Sequence, residues 1–347
     1  NYQYNFDKLL EHNERSSNFR LKREKAFTKF VKMGFPNKKM EDWRFTDLSS
    51  LIDTNYQIQI EEKNKMNFGF SSSENGLEGV DTLVFYNGHF QKELSSIPQK
   101  TNITYKSYQK DEIFPRLEKL EQTPFDLLNE AFSSKSFLLE LEPNVNLIKP
   151  VRFLFISGGK NSIMSNPRII LKIGSSSSAT FFEHHVGSAK SFFQNFSMFT
   201  LLDKNAGLDY IKVQKNSAET KNVFNYNVDQ RKDSFFSFSQ FSRGSQLTRT
   251  NLKVILNDEN ASCSISSLSL TDEKRHNDDF VVVNHKYPNC NSSQLFKNIL
   301  QDQSSGVFTG KTIVSKHAQK TDSSQYNKNL LLSKNARMNS NPQLEIF

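Results

Sequence analysis

The stretch Gly306-Val307-Phe308-Thr309-Gly310-Lys311-Thr312 comes nearest to a nucleotide site. A phosphate loop needs four residues between its glycines and a helix behind them, so that backbone N–H groups and the helix N-terminus face phosphate. Here three residues intervene, and Ile313-Val314-Ser315 reads as strand, so no phosphate is expected. His184-His185 follow Phe181-Phe182-Glu183. Adjacent side chains on a strand point to opposite faces, so the two imidazoles cannot readily share a metal. They read as surface or turn histidines. His276, His285 and His317 are dispersed and make neither HxH nor HExxH. Cys263 and Cys290 form no CxxC and no disulfide framework, and each reads as a small buried residue. No Gly-x-Ser-x-Gly elbow is present, and no carboxylate pair stands out as an acid–base dyad. Glu41-Asp42 beside Trp43 reads as an anchor for the fold. The chain thus offers no catalytic, cofactor-binding or metal-ligating residue of its own.

The elements that would position any site fall into two regions. Residues 5–33 read as helix: Arg20, Lys22, Arg23, Lys25, Lys29 and Lys32 surround Ala26, Phe27, Phe30 and Val31 at helical spacing. The basic side is a solvated face, and Gly34-Phe35-Pro36-Asn37 stops the helix. Ser71-Ser72-Ser73-Glu74-Asn75-Gly76 is a loop by composition. Residues 82–90 read as a strand, an Asn-Gly turn and a return strand. Residues 112–134 read as a helical stretch interrupted by Pro124, with Leu117, Leu120, Leu127, Leu128 and Phe132 on its buried side. From about residue 136 short apolar runs recur, among them Phe153 to Ile156, Phe196 to Leu202, Phe235 to Phe241 and Ile265 to Leu270. Gly, Asn, Asp or Ser clusters separate them, which predicts an all-β region. Some 200 residues of strand exceed an ordinary sandwich of ~100 residues. A solenoid with repeats of roughly 20–45 residues absorbs them as stacked turns. The expected organisation is a helical or mixed domain over 1–135 and a mostly β solenoid over 136–347.

Composition agrees. The chain has 347 residues, 36% of them apolar, with a mean hydropathy of -0.62, which suits a thin core with much surface. Its 31 phenylalanines against one tryptophan read partly as the codon bias of an AT-rich genome. The formal charge of +8 is scattered, and no aromatic-plus-glycine motif supports nucleic-acid binding. No run approaches ~18 apolar residues and no signal peptide opens the chain, so no membrane is expected and a cytoplasmic location is. Asn1 stands where a methionine would, which leaves room for a trimmed start.

The last third is the most specific. His285-Lys286-Tyr287, Ser292 to Leu300, Ser305 to Lys311, His317 to Asp322, Asn329 to Ser333 and Pro342 to Ile346 form an ordered series that resembles the SufB/SufD family of SUF iron–sulfur cluster assembly proteins. Gly34-Phe35-Pro36, Glu41 to Thr46 and Pro124 to Phe132 agree with it. The family implies a mostly helical N-terminal domain followed by a right-handed parallel β-helix. It also implies a complex with a SufB-like paralogue and a SufC-like ABC-type ATPase, with clusters assembled where SufB meets SufD. The SufB branch carries a cysteine just before the Leu-Leu run, and here Gln325 to Leu332 has none, so the SufD branch is the better match. The family's further segments, including the histidine-bearing one and the helical tail that docks SufC, are expected to be missing after Phe347. No ligand residue is therefore carried over. No cofactor is expected on the isolated chain, the cluster being transient on the complex, and a flavin there is left open. Asn327, Asn329 and Leu331 are the expected contacts with the SufB-like partner, because alternation sets Leu331 opposite Leu330 and Leu332. A polysaccharide-active β-solenoid and a basic nucleic-acid-binding protein are the alternative readings.

Overall fold

The computed structural model describes residues 2–12, 18–59, 80–96, 103–108, 122–133 and 136–347. The loop expected at 71–76 and the expected core residues Leu117 and Leu120 lie outside these. Two helices, α1 (Tyr2–His12) and α2 (Asn18–Met33), occupy the stretch read as one. Phe6 stacks on Phe27 with ring centroids 4.1 Å apart, so the apolar stripes of the two helices bury one another. After the short α3 (Ser49–Ile52), α4 (Pro124–Phe132) completes the helical layer. Pro124 opens α4 rather than interrupting a helix, since the first turn has no use for its missing N–H. Thr123 and Asp126 form a capping box there: the Asp126 N–H donates to Thr123 Oγ1 at 3.2 Å, and the Thr123 N–H donates to Asp126 Oδ2 at 3.0 Å.

The strands begin with β1 (Gln57–Ile58), β2 (Asp81–Tyr86), β3 (His89–Phe90), β4 (Ile103–Tyr108), β5 (Ser136–Leu141), β6 (Val151–Ser157), β7 (Ile163–Ser165) and β8 (Arg168–Ile173). They continue with β9 (Ser178–Gly187), β10 (Phe192–Leu202), β11 (Gly207–Lys215), β12 (Lys221–Gln230), β13 (Phe235–Ser242) and β14 (Leu247–Leu256). The last six are β15 (Ser262–Thr271), β16 (His276–His285), β17 (Asn291–Leu300), β18 (Ser305–Val314), β19 (Asp322–Leu331) and β20 (Arg337–Ile346). They form two sheets. Sheet A runs β20-β18-β16-β14-β12-β10-β8-β5-β4, with β1 and β7 beside it, and sheet B runs β19-β17-β15-β13-β11-β9-β6-β2-β3. Every pairing is parallel except β2–β3 and β4–β5. The chain alternates between the sheets and returns above itself, giving a parallel β-helix of about seven turns. Strands β2 and β4 extend the two sheets from residues before 136.

From β8 onward stacked positions lie 26 to 32 residues apart. Each turn at one corner uses a residue in left-handed conformation: Ser176, Asn205, Asp233, Asn260, Asn289 and Lys320 all have φ between 56° and 59°. Asn and Asp tolerate this region better than other non-glycine residues, so the column of corners is legible as Asn/Asp recurrence. Between the sheets an aliphatic and aromatic core runs from Leu83 to Phe308. The outer face of sheet A at Met164, Phe193, Val223 and Leu247 packs against α1, α2, α4 and Trp43 in a second core.

The segment Glu41–Thr46 lies across the outer face of sheet A as a strap. Trp43 covers the Arg249 guanidinium of β14 at 3.8 Å, and Arg249 Nη1 donates to the Asp42 carbonyl at 2.7 Å. Arg249 also pairs with buried Asp278 of β16. The Thr46 hydroxyl donates to Asp278 and lies 3.0 Å from His276 Nε2. Gln343 of β20 donates to Glu41 at 3.2 Å. The anchor expected at Glu41-Asp42-Trp43 is thus a real one, fastened through cation–π and charge-assisted contacts.

Candidate functional site at the open edge of the last coil

Two places gather side chains able to act, the interior of the middle coils and the open end of the stack. In the interior, Glu183 and His185 share the inward face of β9, because alternate strand residues point the same way. His185 Nε2 lies 2.5 Å from Glu183 Oε1, and the hydroxyls of Tyr210 and Tyr226 both donate to this carboxylate. Lys212, in register with Glu183 on β11, donates to Gln240 Oε1 at 3.0 Å and Thr250 Oγ1 at 3.1 Å. Its ammonium lies 3.5 Å from the Phe224 ring centroid. Gln240 then donates to Asp279 Oδ1 at 2.9 Å.

Burial would push the Glu183 carboxyl up, but His185, Lys212 and Tyr210 together hold it below its usual range. Burial pushes His185 down against the pull of Glu183, so the pair is a carboxylate and a neutral imidazole that donates from Nε2. Burial lowers Lys212 to about 8 and raises Asp279 to about 6. The eight side chains are buried and hydrogen-bonded in two adjoining sets, one around Glu183 and one around Gln240, and a substrate would have to displace those bonds. Their arrangement fits a structural role: it matches buried charges across neighbouring coils.

The histidine pair was expected at the surface or in a turn. It lies instead in mid-strand, with His185 wholly buried and His184 half-buried on the opposite face. The reason is that Glu183, Tyr210 and Tyr226 make the coil interior polar enough to hold an imidazole. His285 is also buried, bonded to Ser292 at 2.9 Å, and burial lowers it to about 4. Cys263 and Cys290 are buried free thiols, as expected, and burial pushes Cys263 up to about 12. Such thiols are poor nucleophiles. Among the described residues no group of three or more His, Cys, Asp and Glu could hold a metal ion. Gly306 to Thr312 lies within strand β18, which runs on through Ile313 and Val314, where strand was expected. A Cβ at Gly310 would lie 1.5 Å from Gln325 Nε2, so this glycine makes room for the next coil rather than for a ligand.

At the open end, among the described residues, no strand pairs with the outer edges of β19 and β20. The register with buried Ser292, Gln294, Phe296, Asn298 and Leu300 makes Ser323, Gln325, Asn327, Asn329 and Leu331 the inward row of β19. Asn298 Nδ2 donates to Asn329 Oδ1 at 2.8 Å, and Asn327 Nδ2 donates across to Ser340 Oγ of β20 at 2.9 Å. Beside these amides β20 contributes Pro342, Leu344 and Ile346, and Leu344 and Ile346 are 64% and 70% exposed. A cavity of about 450 Å³ opens here, lined by Thr312, Val314, Gln325, Pro342, Leu344 and Ile346 among others.

Asn327, Asn329 and Leu331 are therefore brought together on one row. Leu331 does oppose Leu330, but its row is the inward one, and among the described residues no further coil stacks on it. Sequence reasoning missed Ser323, Gln325, Leu344 and Ile346. The alternation of Gln325, Asn327 and Asn329 was a signal, but it gains meaning only from the register with β17.

A family model described as the SufBD core domain of SUF system FeS cluster assembly matches residues 155–347, and one described as the SufBD protein N-terminal region matches residues 2–152. The chain is 26% identical over 349 residues to an iron–sulfur cluster assembly SufBD family protein of Synechocystis sp., covering 94% of this chain and 76% of that protein. It is 25% identical over 326 residues to the iron–sulfur cluster assembly protein SufD of Escherichia coli, covering 91% and 75%. With both regions of the fold matched over nearly the whole chain, it belongs to the SufBD family of iron–sulfur cluster assembly proteins.

Proposed function

We propose that the chain is a SufD-type scaffold subunit that pairs with a SufB-like subunit through the open edge of β19 and β20, in a complex driven by a SufC-like ATPase. One observation carries this reading: among the described residues no strand pairs with the outer edges of β19 and β20, and their inward row mixes amides with apolar side chains. Free edges invite strand addition, and an apolar row left in water favours a partner that covers it. The similarity to SufD supports the choice of branch. On this reading the subunit contributes no catalytic residue. The iron–sulfur cluster is cargo of the assembled complex, which works in the cytoplasm, and no residue of 1–347 is assigned to the ATPase.

The test is Leu331→Asp. Its side chain is 46% exposed in the free chain, so the variant should keep its far-UV circular dichroism. In the complex the carboxylate would be buried without a counter-charge, which costs about 3–5 kcal/mol and thus ~100-fold or more in affinity. Unchanged affinity for the SufB-like subunit would place the interface elsewhere.

A further inference from the structure

We propose that the outer face of sheet B holds a binding site for a phosphate-class dianion, built by Arg152 of β6, His184 of β9 and Lys215 of β11. It shares no residue with the pairing proposed above. Phe153, Glu183 and Lys212 point into the coil, so strand alternation sets Arg152, His184 and Lys215 on the outward side. His184 stands in register with Leu154 and Val213. Arg152 is in register with Phe182, and Lys215 with Val186, two positions to either side of His184 on its own strand. Diagonal neighbours of this kind lie about 7–8 Å apart, a distance that arginine and lysine side chains span.

The donors here lack acceptors. Arg152 is 3% exposed, yet its Nη1 bonds nothing, and its Nε donates to a neutral partner, Thr82 Oγ1, at 3.1 Å. His184 Nε2 is likewise enclosed without a partner. On the outward positions of β2, β6, β9 and β11 the one carboxylate is Asp209, in register with Thr180, four residues or about 13 Å along from His184. A guanidinium enclosed without a counter-charge is costly, and an oxyanion is the group that removes the cost. Burial first, and then His185 on the inward face, Arg152 and Lys215, push the His184 imidazole down to about 4, so it is uncharged at neutral pH. The fixed charge of Arg152 and Lys215 then matches a dianion, and the guanidinium fork suits its oxygens. A dianion seated there favours the imidazolium, and by reciprocity the imidazolium favours the dianion.

The experiment has two arms. NMR follows the His184 imidazole against pH, its signal assigned from His184→Gln, in chloride and in sulfate, which stays a dianion over this range. Thermal melts compare wild type, Arg152→Met, Lys215→Ala and Lys25→Glu, the last a charge control on α2, in chloride, phosphate, sulfate and phenyl phosphate at matched ionic strength. Sulfate should raise the His184 midpoint by about one pH unit or more. Phosphate should raise the melting temperature of wild type and Lys25→Glu by about 2 °C or more over chloride. Arg152→Met should melt no lower than wild type in chloride, since it removes an unneutralised charge, and should gain nothing from phosphate. Lys215→Ala should gain less than wild type. A gain from inorganic phosphate but none from phenyl phosphate identifies free phosphate as the occupant, and gains from both admit a phosphoester. Equal gains in wild type and Arg152→Met would be the general salting effect of these anions and would overturn the site. An imidazole midpoint that sulfate leaves in place would overturn it as well, and decides alone should Arg152→Met fail to fold.

Discussion

His285 illustrates how single residues of this coil respond to acid. Its imidazole is buried against Ser292 and stays neutral down to about pH 4, whereas in the unfolded chain it takes its proton near 6.5. Between these values the unfolded state binds more protons, so stability is fully present above pH 6.5 and is lost as pH falls towards 4. The span corresponds to at most about 3 kcal/mol. His285→Gln should therefore narrow the gap between urea midpoints measured at neutral and mildly acid pH. An unchanged gap would show that His285 is not among the responsible groups. No sequence feature announced this behaviour. His285 lies between Leu256 and Val314 of the strands on either side, 29 residues away each, and Glu183 and Lys212 bond partners 27 to 43 residues away, which single-chain patterning cannot register.

At the scale of elements, Glu41–Thr46 shows what a short motif can achieve when a distant residue completes it. Arg249 lies between Trp43 and Phe280 and neutralises buried Asp278. Arg249→Ala should destabilise the chain by about 3–5 kcal/mol, because it leaves that carboxylate without its cation. Urea melts would measure the loss, and limited proteolysis should cut within residues 41–47. A melt indistinguishable from wild type would sink the strap as a stabilising element. The motif itself was legible as an anchor, but its partner, 207 residues away, was not. Strands were legible in the same uneven way. Runs such as Phe196 to Leu202 announced themselves, and they lie in β10. Lys221–Gln230 and Asn291–Leu300 did not, because several inward positions of β12 and β17 hold Asn, Ser or Gln in place of aliphatic residues. A polar interior is affordable there only because each amide finds a partner in the adjacent coil.

For the whole molecule, the solenoid class followed from the number and spacing of the strands, while the order of strands within the two sheets came from the structure alone. The chain purified anaerobically without partners is expected to hold no stoichiometric iron or sulfide, because its two thiols are buried and have no ligand spacing. Iron and acid-labile sulfide assays on the isolated chain check this, and a stoichiometric cluster would contradict it. The strap has one more effect. Each coil touches only its neighbours, so the stack loosens from its end inward. Along sheet A the strap ties β14, β16 and β20 to one continuous segment. Sheet B has no such tie at β19 among the described residues. The two halves of the last coil therefore come apart at different rates. Amides of Asp322–Leu331 exchange sooner than those of Arg337–Ile346.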